Sequence, residues 1–258
     1  FTLVNGARLG ARASIDDGWL VLEAPLGRGA LPGVWSLLAW HATFPGGARF
    51  VPGPGGQGLA ARAELCLDAD VDVFKRVREA CDGLAAAKAA TVHGRPAALA
   101  SGPAVTADLP ALCRETSFGG VERDGGVVVE LAVPGAFHRA VVATRPDAGV
   151  VASVPLADAV AADAEPVADV CRQAFGVLCF RTGGVVRLVR AAAADVAGAR
   201  FEVALGAAPC AAELEHALAA LSVACRLATR EAAVLRADEA VARAYLTQWE
   251  LETTGGES

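Results

Sequence analysis

The chain has little lysine, few aromatic residues and no long apolar run. Only Lys75 and Lys88 are lysines among the 23 basic residues, leaving 21 arginines; with so much Ala and Gly this reflects coding base composition and carries no function. Aromatic residues make up 5% of the 258 while apolar residues make up 54%, much of it Ala, so a core of closely packed small side chains is expected. No apolar segment reaches the roughly 18 to 20 residues that span a bilayer, because a charge or Pro interrupts every candidate. Neither a signal peptide nor a run of basic residues is recognisable, and a net charge of −6 with a pI near 5.3 argues against attraction to phosphates. Neither nucleic acid nor membrane insertion is expected.

Motifs that carry chemistry are equally scarce. No Gly-x-Ser-x-Gly elbow occurs, and the seven cysteines, at 66, 81, 113, 171, 179, 210 and 225, form no Cys-x-x-Cys pair. Most lie in apolar periodic segments, which reads as reduced, buried thiols in a cytoplasmic protein. His41, His93, His138 and His216 are scattered without metal-ligand spacing. Gly53-Pro-Gly55-Gly-Gln-Gly58 has the Gly-x-Gly-x-x-Gly form, but a strand follows it where a phosphate loop needs a helix, and Pro54 removes an amide. Asp68, Asp70, Asp72 and Glu79 fall at positions 1, 3, 5 and 12 of a calcium loop, yet Val73 stands where its sharp turn needs Gly. Acidic residues ahead of a helix cap it. No catalytic residue, metal or cofactor is assigned.

What is present is a repeat. Ala7 to Ile15 and Gly18 to Leu26 read as a hairpin, Val34 to His41 as a short helix, and Arg49 to Val51 with Leu59 to Leu67 as a second hairpin. A helix follows with Val71, Phe74, Val77, Cys81 and Leu84 at stripe spacing, weakened in its last turns by Gly83. Residues 93–116, with Pro96, Pro103 and Pro110, form a linker carrying one short helix at Leu109 to Arg114. The order then restarts: strands at Phe118 to Arg123, Val127 to Val133, Phe137 to Thr144 and Val150 to Leu156, a helix from Pro166 to Phe180, and a hairpin of Val185 to Arg190 with Arg200 to Leu205. A closing helix carries Leu214, Leu218, Leu221 and Cys225. At an offset of 138, Gly46 falls on Gly184, Arg62 on Arg200, Glu64 on Glu202 and Leu67 on Leu205, while Leu22-Glu23 aligns with Val129-Glu130, giving the second copy 31 extra residues.

The fold class is therefore α+β: two tandem domains, each a small antiparallel sheet packed with helices in the order strands, helix, hairpin, helix, forming a pseudo-dimer. Their expected bounds are 1–92 and 117–258, the second with a C-terminal helical extension. The Ala-rich flanks of the closing helices, Ala80, Ala85 and Ala86 in one and Ala217, Ala220 and Ala224 in the other, are expected to contribute to the contact between the halves.

The run from Leu37 through Trp40, His41, Phe44 and Pro45-Gly46-Gly47 to Val51, leading into Leu59 to Leu67 and then Asp70-Val-Asp-Val-Phe74, resembles the type III secretion chaperone-like superfamily, which includes the YbjN-like proteins. The likeness covers residues 15–90 and, more loosely, 120–235. It implies small α+β domains that do no chemistry and bind other proteins, often as dimers through the closing helix. The chain departs from that pattern in the excess of its second half, in having no clear helix ahead of the first strand, and in its long C-terminal tail.

Candidate partner-binding residues are Trp35, Trp40 and Phe44, about 140° separating the two Trp on their helix so that one faces away from the core as part of an apolar groove. Arg62 with Glu64, and Arg200 with Glu202, are candidates for a pseudo-symmetric polar surface; alternating charges on the wet face of a strand are otherwise ordinary solvation. The expected function is a non-catalytic chaperone or adaptor for a protein or peptide, either a monomer with an internal pseudo-two-fold or a subunit of a hetero-complex. A structural subunit of a larger assembly is the alternative, and an enzyme with dispersed catalytic residues comes third.

Overall fold

The computed structural model describes residues 10–16, 18–27, 33–41, 44–53, 58–67, 72–95, 105, 107–133, 136–146, 148–155, 169–182, 187–190 and 199–254. Several expectations lie outside them: Ala7 to Leu9 of the first strand, the loop residues Pro54 to Gln57, Asp68, Asp70 and Val71, much of the linker, Leu156, Pro166 to Ala168, Gly183 to Val186, and the Trp35 side chain.

The first repeat contains β1 (Arg12–Asp16), β2 (Trp19–Gly27), α1 (Val34–His41), a 3-10 turn (Pro45–Gly47), β3 (Arg49–Pro52), β4 (Leu59–Cys66) and α2 (Val73–His93). Then come α3 (Leu109–Arg114), β5 (Val121–Arg123), β6 (Gly126–Val133), β7 (Ala136–Arg145), β8 (Gly149–Pro155) and α4 (Asp169–Thr182). The chain closes with β9 (Arg187–Arg190), β10 (Ala199–Gly206), α5 (Ala211–Ala237) and α6 (Glu239–Thr254). Two antiparallel sheets result, β1-β2-β4-β3 and β5-β6-β7-β8-β10-β9, both packed with helices.

The last four strands of the larger sheet repeat the smaller one in order and direction, β7-β8-β10-β9 standing for β1-β2-β4-β3. Register matches as well: Phe50 faces Ala61 as Leu188 faces Phe201, and Glu23 faces Arg62 as Ser153 faces Glu202. The ladders correct the gap-free alignment in two places. Arg62 corresponds to Glu202 rather than to Arg200, because the β9–β10 connection is two residues longer than the β3–β4 one. A slip of two keeps every side chain on its face, so the hydrophobic pattern did not reveal it. Likewise, β2 corresponds to β8, not β6, and much of the second repeat's excess is the added hairpin β5–β6.

One apolar cluster runs through both repeats. In the first it takes Leu22, Ala24, Phe50, Ala61, Ala63 and Leu65 with α2 lying on β4, β2 and β3; in the second Val129, Leu131, Val142, Ala152, Val154 and Phe201 with α5 across β10, β6 and β8. The linker helix α3, capped where Asp108 accepts a hydrogen bond from the Ala111 amide at 3.0 Å, buries Leu109, Leu112 and Cys113 against β6 and α5. It packs as part of the second repeat. The repeats cross over each other: α1 lies on β9 and α4, α4 touches β3, and the 3-10 turn meets β10. These elements, and not the Ala-rich flanks of α2 and α5, make most of the contact between the halves.

The stripe of α2 is rotated from the expected one. Ala80, Gly83, Leu84, Ala87 and Ala90 are buried, Val77 and Cys81 are half-buried, and Phe74 is 90% exposed. Gly83 explains the rotation: a Cβ there would lie 2.2 Å from the Pro45 carbonyl oxygen, and one on Gly46 (φ 61°) 2.6 Å from the Glu79 carbonyl group. Two glycines thus bring the helix and the turn backbone to backbone, and Gly83 is a contact point in a helix that continues to His93.

Candidate functional site

Polar side chains gather where the repeats meet. On the outer face of the smaller sheet, Arg49 on β3 donates through Nη2 to Glu64 Oε1 at 2.8 Å, and Arg62 donates through Nε and Nη2 to Glu23 Oε2 at 3.0 and 2.6 Å. On the larger sheet Glu202 is fully buried and accepts from Arg145 Nη1 at 2.7 Å and from Arg200 Nε at 3.1 Å. Burial pulls the Arg49 guanidinium below its ordinary range, and Glu64 opposes the shift. The faces expected to be wet are ion-paired in these places, with Arg49, Glu64 and Glu202 largely removed from water while the Arg62 and Arg200 side chains keep 36% and 40% exposure.

Two contacts stitch the halves together. Arg76 on α2 donates through Nη2 to Glu213 Oε2 on α5 at 2.5 Å, and the Trp19 ring on β2 packs on the His216 ring with centroids 4.2 Å apart. Glu213 also accepts the Cys210 amide at 3.2 Å, so one carboxyl caps α5 and holds α2. Its pKa is raised by burial, against the lowering effects of Arg76 and the Cys210 amide. A third junction forms at His41, whose Nε2 accepts the Phe50 amide at 2.8 Å and whose ring stacks at 6.2 Å on Phe180 of the second repeat. Sequence reasoning gave none of these: the Arg76–Glu213 partners stand 137 residues apart, and no periodicity links them.

A cavity of about 30 Å³ lies in this seam, lined among others by Trp19, Arg49, Glu64, Arg76, Glu202, Glu213 and His216. Water needs roughly 10–15 Å³ per molecule on this measure, so the cavity has room for about two waters and is too small for a metabolite. Its charges are matched in the pairs Arg49–Glu64, Arg76–Glu213 and Arg145–Glu202. The arrangement suits joining two repeats. Among the described residues no group of three or more His, Cys, Asp or Glu is placed to hold a metal ion, and no helix is long and apolar enough to cross a membrane. All seven cysteines are free thiols; burial pushes Cys225 up to about 12, and Cys81, Cys113, Cys171 and Cys179 upward too.

The outer face of the larger sheet has a different character. Val121, Val128 and Val141 stand side by side across β5, β6 and β7, and the neighbouring row of Ala132 and Phe137 extends the patch beyond Glu130 and Arg139. Val121 is 62% and Phe137 78% exposed. Of the residues singled out from the sequence, Phe44 is core at 2% exposure, with its ring edge-on to Phe50, and offers no surface to a partner. Trp40 is half-buried against Phe50. Arg62, Glu64, Arg200 and Glu202 occupy the ion pairs described above, so their charges are already matched within the chain. Compared with protein-family models, with curated proteins and with solved structures, the chain matches none of them.

Proposed function

We propose that the chain is a non-catalytic protein-binding module, a chaperone or adaptor for a protein or peptide, built from two fused repeats acting as a pseudo-dimer. The observation that carries this reading is the apolar patch on the outer face of the larger sheet, where Val121 and Phe137 stand exposed beside Val128, Val141 and Ala132. Exposed apolar side chains grouped on one sheet face mark contact surfaces, whereas single ones do not. The element order, similar to that of type III secretion chaperone-like proteins, supports the same reading.

The test is affinity purification of the tagged chain and of a Val121→Asp/Phe137→Asp double variant, followed by mass spectrometry. Both positions are exposed, so the variant should keep the wild-type circular dichroism and melting temperature. A protein recovered in fixed ratio with wild type and lost with the variant is the expected result. Recovery of the same protein by both removes this patch as the binding surface. A chain that aggregates unless co-expressed with a partner favours a permanent structural subunit instead.

A further inference from the structure

The comparison of the two repeats exposes an edge. Strand β7 is flanked on one side by β8 and on the other by β6, whereas its counterpart β1 has β2 on one side and, among the described residues, no strand on the other. Exposure follows this difference. Ala140 and Val142 on β7 are 0% exposed, but their register counterparts Ala11 and Ala13 are half-buried and exposed; Ile15, 71% exposed, stands where β7 has the polar and likewise exposed Thr144. An open edge with unpaired amides and carbonyls and an apolar side chain beside it is a template for another strand.

The sequence of β1 indicates which strand. Laid antiparallel on itself about Ser14, Arg12-Ala-Ser-Ile-Asp16 places Arg12 opposite Asp16, Ala13 opposite Ile15 and Ser14 opposite itself. Ala13 and Ile15 share the face of Leu22 and Leu20, so the apolar pairs meet on the apolar side. A shift of two residues, to a centre at Ala13, sets Arg12 opposite Ser14 and loses both charge pairs, which makes the register unique. We propose that two copies of the chain pair β1 to β1 around a two-fold axis, joining their four-stranded sheets into one continuous sheet. The contact is isologous, so each charge pair and each Ala–Ile pair occurs twice. It does not depend on the function proposed above.

Sedimentation velocity over a concentration series of the full chain tests it. Wild type should associate reversibly to a dimer. Arg12→Asp sets acid against acid and Asp16→Arg sets base against base at both symmetric positions, and each should raise the dimer dissociation constant at least about tenfold. The double variant R12D/D16R should recover the wild-type constant, and mixing the two single variants should form a heterodimer that neither forms alone. A misfolded strand would show neither rescue. Wild type monomeric at every concentration overturns the proposal, as does equal dimerisation of all variants. A monomer that instead binds a peptide of the β6 sequence Gly126 to Val133, and loses it in Ala13→Lys, assigns the edge to a foreign strand and overturns the second copy as occupant.

Discussion

His41 and His138 are both 2% exposed, yet they differ in hydrogen bonding. His41 accepts the Phe50 amide and packs against Phe50 and Phe180, while neither ring nitrogen of His138, on the inner face of β7 opposite Leu131, has a hydrogen-bond partner among the described residues. An unpaired buried polar group costs stability, and a paired one costs stability only when its partner is removed. His138→Leu is therefore expected to stabilise the chain by about 1 kcal/mol, and His41→Leu to destabilise it by about 2 kcal/mol by orphaning the amide. Urea titrations of the two variants check this, and a destabilised His138→Leu would mean that the ring has a partner of its own.

Glu213 gives a pH-dependent prediction on the same scale. Burial raises its pKa above the ordinary 4.5, so the folded chain holds this proton more tightly than the unfolded chain. The stability it contributes is then fully present below the unfolded value and lost as pH rises through the folded value. Ionising the carboxyl carries a burial cost that Arg76 and the Cys210 amide offset only in part. Glu213→Gln keeps an oxygen for the Cys210 amide and is expected to be at least as stable as wild type at pH 7, with the difference vanishing toward pH 4. Glu213→Ala loses the cap and should cost about 2 kcal/mol. Melts at both pH values decide, and equal losses for Gln and Ala at pH 7 would show that the ion pair outweighs the burial.

At the scale of elements, the contact of α2 with the 3-10 turn rests on Gly83 and Gly46. Gly83→Ala places a methyl 2.2 Å from a backbone oxygen, which neither element can avoid without shifting, and is expected to cost about 2–4 kcal/mol despite the higher helix propensity of Ala. A chemical denaturation midpoint equal to wild type would show that the turn moves freely. This pair also marks where legibility ended. Helices α1 and α3 were bounded in the sequence as they stand in the structure, because Pro, Gly and cap residues punctuate them locally. The phase of α2 was not, because a helix whose buried face is Ala and Gly has no apolar stripe to read; the larger Phe74 drew the stripe to the solvent side. The ion pairs of the seam were missed for a related reason. Alternation along β4 gives the face on which Arg62 and Glu64 lie, but what covers that face is decided by the other repeat.

At the scale of the molecule, the repeat was legible because strand alternation survives a two-residue slip, while the slip itself and the added β5–β6 hairpin became visible only through the ladders. Two repeats that exchange α1 and α4 across a shared core, with Arg76–Glu213 and Trp19–His216 pinning the seam, should unfold as one unit. Native-state hydrogen exchange in increasing urea, read by mass spectrometry on peptides from both sheets, measures this directly. The slowest amides of β2 and β4 and those of β8 and β10 are predicted to share one opening free energy and one urea dependence; two distinct free energies, one for each sheet, would contradict the shared core.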